Sequence, residues 1–231
     1  MAFHAVGDRV VVASRTDSGL VARLGEGRVR QVICDVRRPA DLRHAVAVAT
    51  EWTGRLDVFV GNAGSSGWRP LAAVDETFWQ EMLDTNLKGV YFGAQAAAER
   101  MTSGGAIINV SSLAAKRGSA NNSVYCAAKF GVTGITQSLA KELGPRGIRV
   151  NAVCPVYVGT EGLLTALQSP EAPPHGEDVA AYLADFARTQ SALGRLPTGD
   201  EVASAILYLA SPAASAITGQ SLNVDCGVMP Q

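Results

Sequence analysis

GGAIINVSSLAAKRGSANNSVYCAAKFGVTG, residues 104–134, is the stretch on which the reading of this chain turns. Its opening run, 105–110, is apolar on both alternating faces, as expected of a strand buried on both sides of a sheet. A polar pair, Ser111-Ser112, ends that run, and a helical pattern is predicted over 123–143. A buried strand feeding a helix is half of a βαβ unit, so Ser112 falls at the carboxyl edge of the sheet, where open α/β folds place their ligands. On the helix, Tyr125 and Lys129 lie one turn apart on one face. An ammonium held near a phenol stabilises the phenolate and lowers its pKa from about 10. Tyr125 is therefore a candidate general acid at neutral pH, with the Ser112 hydroxyl placed to hold a carbonyl oxygen.

Outward from this segment, strand-length apolar runs alternate with longer amphipathic ones. Strands are predicted at 9–14, 29–34, 56–60, 105–110, 149–153 and 221–224, with helices near 40–53, 75–101, 123–143 and 200–210. The third helix is expected to stop at Gly144-Pro145. This is the pattern of a parallel sheet covered by helices on both faces. The 231 residues suit a single α/β domain spanning 1–231. From 157 to 198 the pattern loosens around Pro170, Pro173 and Pro174, with a short helix expected at 177–189. So long an excursion reads as a functional lid over the site.

Composition removes several function classes. With 20 basic and 21 acidic residues, the net charge of −1 gives no electrostatic footprint for nucleic acid. No apolar stretch is long enough for a membrane span and no signal peptide is visible, so a cytoplasmic protein is expected. Cys34, Cys126, Cys154 and Cys226 form no C-x-x-C pair, which predicts reduced thiols and no metal site.

The amino-terminal stretch MAFHAVGDRVVVASRT, residues 1–16, poses a separate question. VVVAS is a buried strand, and AFHAVGD before it reads as the last turn of a helix closed at Gly7. A strand entered from a helix belongs to a unit of roughly thirty residues or more, and only eight precede Arg9. Three readings stay open. The native start lies about twenty-five residues upstream and Met1 is internal to a helix. Alternatively the chain is naturally shortened and neighbouring strands close the gap, or it is a non-catalytic relic that works by association.

Taken together, Cys34-Asp35-Val36, Gly61-Asn62-Ala63-Gly64, Asn86-Leu87-Lys88-Gly89, Asn109-Val110-Ser111-Ser112, Tyr125-x-x-x-Lys129, Asn151-Ala152-Val153-Cys154-Pro155 and Thr218-Gly219-Gln220 resemble the motifs of the short-chain dehydrogenase/reductases, in order and over essentially the whole chain. The resemblance implies a three-layer Rossmann-like, doubly wound parallel sheet, here without the family's first central strand and its glycine-rich turn. It implies a catalytic tetrad of Asn86, Ser112, Tyr125 and Lys129. In such enzymes the tyrosine transfers the hydroxyl proton, the serine orients the carbonyl, the lysine lowers the tyrosine pKa and holds the ribose, and the asparagine fixes a water. Ser14, Arg15, Asp35, Val36, Asn62, Ala63, Gly64, Pro155, Val158 and Thr160 match positions that contact the dinucleotide. An arginine at position 15, where NAD-preferring relatives usually carry an acid, points to NADP(H), with NAD possible.

Departures from the pattern are Gly61 for an asparagine, Val156 for the glycine after Pro155, and Asp225-Cys226-Gly227 near the end. The implied reaction is ketone/secondary-alcohol interconversion. Leu163, Leu164, Leu167, Tyr182, Leu183 and Phe186 in the lid suggest a largely apolar small molecule, while His175 reads as a surface residue. Alternatives are a cofactor-free lyase, dehydratase or isomerase built on Tyr125 and Lys129, or a binding protein. A homodimer or homotetramer is expected, through a smooth helix face at Ala127, Ala128, Gly131 and Gly134.

Overall fold

The computed structural model describes residues 1–102 and 104–230. Six parallel strands form, β1 (Val10–Ser14), β2 (Val29–Ile33), β3 (Val58–Gly61), β4 (Gly105–Val110), β5 (Ile148–Pro155) and β6 (Ser221–Val224). The helices are α1 (Ala2–Ala5), α2 (Leu20–Leu24), α3 (Pro39–Thr53), α4 (Glu76–Leu83), α5 (Gly89–Arg100), α6 (Ser123–Leu143), α7 (Glu161–Ala166), α8 (Val179–Gln190) and α9 (Gly199–Ala210). This is a Rossmann-like α/β fold whose layers follow from alternation along β4. Ile107 packs with α5 and α6 residues such as Ala94, Ala97 and Leu143, whereas Ala106 and Ile108 pack with Val202, Ile206 and Leu209 of α9. Burial on both faces explains why β4 lacks an apolar/polar alternation, and each isoleucine contributes about 1.5–3 kcal/mol.

The sheet is interrupted. β1 pairs with β2, from Val10↔Val29 to Ser14↔Ile33, while β3-β4-β5-β6 form a separate four-stranded sheet. Neighbouring strands thus do not close the gap expected from the amino-terminal stretch. Helices hold the two parts together: α3 packs on β1, β2 and α5 across one face, and α1 packs on α9 across the other. The turn expected at the start is present, with Gly7 in the left-handed region at φ 103 and Phe3 packed against the α9 cluster.

One long helix differs from the sequence reading. The helix predicted over 75–101 is a rod in three parts, α4, a π-turn at Asp84–Lys88, and α5. Asp75 caps it, its Oδ1 accepting from the Phe78 N–H at 2.7 Å. Further along, Gly93 permits close approach to the sheet, since a Cβ there would stand 2.6 Å from Cζ of Phe59. Helix α6 covers Ser123–Leu143 and ends with Gly144 at its C-cap, as expected, and a 3-10 turn at Gly144–Arg146 follows. Gly144 keeps a right-handed φ of −52, and the left-handed residue that closes this turn is Gly147 at φ 71. Pro145 is accommodated in the intervening 3-10 turn because a first-turn N–H needs no partner. Residues 157–198 carry α7 and α8, and the predicted lid helix shifts to Val179–Gln190. Tyr157, Tyr182 and Phe186 form an aromatic cluster there, and Leu167 is buried with Trp68 and Ala172. His175 is exposed. Among the described residues no helix is long and apolar enough to cross a membrane, no group of His, Cys, Asp and Glu suits a metal, and all four cysteines are free.

Arg149 of β5 anchors the carboxyl end of α9, donating to the carbonyls of Leu209 at 2.6 Å, Ala210 at 3.1 Å and Ser211 at 3.2 Å. Replacing it with methionine leaves these carbonyls without their cation. Arg149→Met is expected to cost about 2–4 kcal/mol in urea unfolding; an unchanged midpoint would remove this clamp from the account.

Candidate active site

Three elements converge at the carboxyl edge of β4. Where β4 ends, Ser111 N–H donates to Val153 O at 2.8 Å, and the Ser112 hydroxyl then caps a 3-10 turn by accepting from Ala114 N–H at 3.1 Å. Helix α6 is fastened to the same edge: Lys129 Nζ donates to Val110 O at 3.0 Å and Ser111 Oγ donates to Lys129 O at 3.3 Å. The π-turn supplies the third element. Its extra residue rotates Asn86 inward, where it is completely buried, donating to Met82 O at 3.0 Å and accepting from Ser65 N–H at 3.2 Å. Asn86, Ser112, Tyr125 and Lys129 all line one cleft of about 1320 Å³.

The electrostatics differ from the expectation that Lys129 depresses the Tyr125 pKa. Burial pushes the Tyr125 phenol up, with the Ser112 hydrogen bond working against it. Lys129 Nζ lies 5.6 Å from the ring centroid and is held at the Val110 carbonyl, and it is itself 3% exposed. Burial brings its pKa down to about 8. The dry wall of the cleft thus disfavours both charged forms, and desolvation outweighs the pairing expected from the spacing.

Of the residues matched to dinucleotide contacts, Arg15, Asn62, Gly64, Pro155, Val158 and Thr160 line the cleft. Gly64 leaves space that a side chain would fill, its Cβ position lying 3.0 Å from Asn86 Oδ1 and 3.6 Å from Lys129 Nζ. Ser14, Asp35, Val36 and Ala63 stand outside this lining. The Asp35 carboxylate receives Arg37 Nε at 2.9 Å and its other nitrogen at 2.6 Å, and these bonds hold it at about 2. Val36 packs on α5, where a Cβ on Gly89 would meet it at 3.0 Å. The cleft also holds Trp68, Arg117, Tyr157 and Phe186. Of these only Phe186 was named from the sequence; the isolated tryptophan in the loop after Gly64 was the available signal for the rest.

The Lys129 shift carries a pH dependence. Between pH 8 and 10.5 the unfolded chain holds a proton that the folded chain lacks, so stability rises with pH across this window. Below pH 8 both states are protonated and the cost of burying the ammonium is fully present. Raising the pH from about 7.5 to about 10 should stabilise the chain, relative to Lys129→Met, by roughly 1–3 kcal/mol in denaturant unfolding. Parallel profiles for the two proteins would contradict it.

Comparison with known proteins agrees with this geometry. Residues 1–229 match the family model described as enoyl-(acyl carrier protein) reductase. A protein of Streptomyces virginiae, provisionally named ketoacyl reductase of the monensin polyketide synthase, is 39% identical over 236 residues, covering 96% of this chain and 88% of the relative. D-threitol dehydrogenase of Mycolicibacterium smegmatis is 36% identical over 230-odd positions, 234 in number, covering 98% of this chain and 85% of its own. Among solved structures, a short-chain dehydrogenase/reductase of the glucose/ribitol dehydrogenase type from Brucella melitensis superimposes with a TM-score of 0.84 at 30% identity, over 99% of this chain and 89% of that one. With a full-length family match and an α/β fold that superimposes on its members, the chain belongs to the short-chain dehydrogenase/reductase family of oxidoreductases.

Proposed function

We propose that the protein interconverts a ketone and a secondary alcohol on a largely apolar small molecule, using NADP(H). The observation that carries this reading is the convergence of Asn86, Ser112, Tyr125 and Lys129 on one wall of one cleft. In the reductive direction Ser112 donates to the carbonyl oxygen, and Tyr125 delivers its hydroxyl proton to that oxygen as negative charge develops there. A phenol whose pKa is raised by burial stays protonated at neutral pH, which suits the acid role. Lys129, poised near pH 8, replaces the proton through polar groups around Asn86. When bound, the dinucleotide supplies the hydride.

Its ribose and nicotinamide end fits beside Gly64, Asn86, Lys129, Pro155, Val158 and Thr160, where the missing Cβ of Gly64 leaves room. Arg15 at the end of β1 offers a guanidinium to a 2′-phosphate, and Asp35, already bonded to Arg37, is a poor acceptor for ribose hydroxyls. The phosphate end faces the space between β1 and β3.

Residues 157–198 act in this reading as a lid on a single domain, with Leu163 and Phe186 facing the substrate. Self-association uses the outer faces of α5 and α6, where Tyr91 and Phe130 are exposed together with Ala127 and Gly134. Ala128 and Gly131, expected on that face, turn inward: Ala128 is buried, and a Cβ on Gly131 would meet Leu87 at 2.7 Å. The free thiols suit a reducing, cytoplasmic setting.

Tyr125→Phe is expected to lower turnover of an apolar ketone with NADPH by at least about a hundredfold while leaving the unfolding midpoint within about 1 kcal/mol. Turnover retained by the variant would take the tyrosine out of the mechanism.

A further inference from the structure

Residues 14–19 carry the chain from the end of β1 to α2, and residues 15–18 are exposed. An exposed loop of this kind samples many orientations unless groups outside it hold it. Here the holding group is the half-buried amide of Gln31 on β2, opposite Val12 in the sheet. Its Nε2 donates to Ser14 Oγ at 2.9 Å, where the loop begins. Its Oε1 accepts from Ser18 Oγ at 2.5 Å and from the Ser18 N–H at 3.4 Å, near the far end. Within the loop Ser14 Oγ donates to Thr16 O at 2.7 Å, and Asp17 Oδ1 accepts from the Gly19 N–H at 2.9 Å. With its one proton engaged at Thr16, the Ser14 oxygen can only accept from Gln31. This fixes the amide with its nitrogen to Ser14 and its oxygen to Ser18, since the reverse would set acceptor against acceptor. A second bond from Nε2 to Val32 O at 3.3 Å ties the amide to its own strand. Arg15, enclosed by this ring of bonds, lines the cleft and makes no salt bridge with a described residue, while the nearby Asp35 is taken by Arg37 at 2.6 Å.

We infer that Gln31 is a positioning residue for selection between the two dinucleotides: its amide holds the loop that presents Arg15 to a 2′-phosphate. This rests on the NADP(H) reading above. A guanidinium recognises a phosphate through paired, parallel N–H···O bonds, which form only where the planar group is already aimed. Gln31 sets that aim from both ends of the loop without touching the ligand. The place requires a donor and an acceptor in fixed relation, because Ser14 offers an acceptor and Ser18 a donor. Methionine, of similar length, keeps the contact with β2 and removes both bonds. The one acid of the loop, Asp17, turns its carboxylate to the Gly19 N–H within its own turn.

The probes are adenosine 2′,5′-bisphosphate and adenosine 5′-monophosphate, which differ only by the 2′-phosphate, titrated calorimetrically into the full chain. The wild-type protein should bind the bisphosphate more tightly, by about tenfold to a hundredfold for one arginine on one phosphate. Gln31→Met should cut that ratio at least about fivefold, the size of an ordinary coupling between neighbouring groups, and leave the monophosphate affinity unchanged. Arg15→Ala should remove the preference, and Gln31→Met added to Arg15→Ala should change the ratio no further, because Gln31 acts through that side chain. A full ratio in Gln31→Met would overturn the inference and leave the NADP(H) reading standing. So would equal weakening of both nucleotides, which indicates a general loosening of β1 and β2, or an additional loss of preference in the double variant. A wild-type ratio of one, or no binding of either nucleotide, removes 2′-phosphate selection itself, and the inference falls with the reading it rests on.

Discussion

The site depends on how α6 is fastened to β4. Lys129 Nζ to Val110 O, Ser111 Oγ to Lys129 O, and Asn109 Nδ2 to Thr136 Oγ1 at 3.0 Å form a row of buried hydrogen bonds along the helix–strand seam. Two of the three are fully buried and the third lies at the wall of the cleft, so leaving either partner of a buried bond unsatisfied costs about 1–3 kcal/mol. The row fixes both the rotation of α6 and its position along β4. Tyr125, one turn before Lys129, is thereby held beside Ser112 at the strand end. Asn109, Ser111 and Thr136, which hold this seam, have no part in the proposed chemistry, so the candidate residues owe much of their geometry to groups outside it.

The interruption between β1 and β3 does not touch that seam. β4 and β5 pair over six registered positions from Gly105↔Ile148 to Val110↔Val153, and both are buried. The gap lies on the far side of β3, away from this seam, and its edges are bridged by α3 on one face and by α1 and α9 on the other. The four candidate residues, Asn86, Ser112, Tyr125 and Lys129, therefore sit beside the four-stranded part of the sheet. The region that would meet the phosphates sits on the open part.

Much of this was legible in the sequence because the informative segments are long and periodic. The bounds of β4 and α6 follow from an apolar run and a 3.6-residue pattern. The π-turn at Asp84–Lys88 was not legible, since one inserted residue leaves no periodic mark, and its effect on Asn86 became visible only in three dimensions. The 3-10 turn at Gly144–Arg146 that follows α6 was hidden because Pro145 can open a new turn as readily as end an old one. Spacing placed Lys129 beside Tyr125 but could not show how far the phenol is desolvated, and burial, not the ammonium, sets the direction of its shift. Trp68 and Arg117 stand alone in loops and reach the cleft only through tertiary packing.

The central claim, that this cleft serves dinucleotide-dependent carbonyl chemistry, is tested most directly by calorimetric titration of the chain with NADPH, with NADH alongside. Saturable binding with Kd on the order of micromolar, tighter for NADPH than for NADH, is the predicted result. Absence of saturable binding by either dinucleotide would contradict the account and leave Tyr125 and Lys129 with proton chemistry alone.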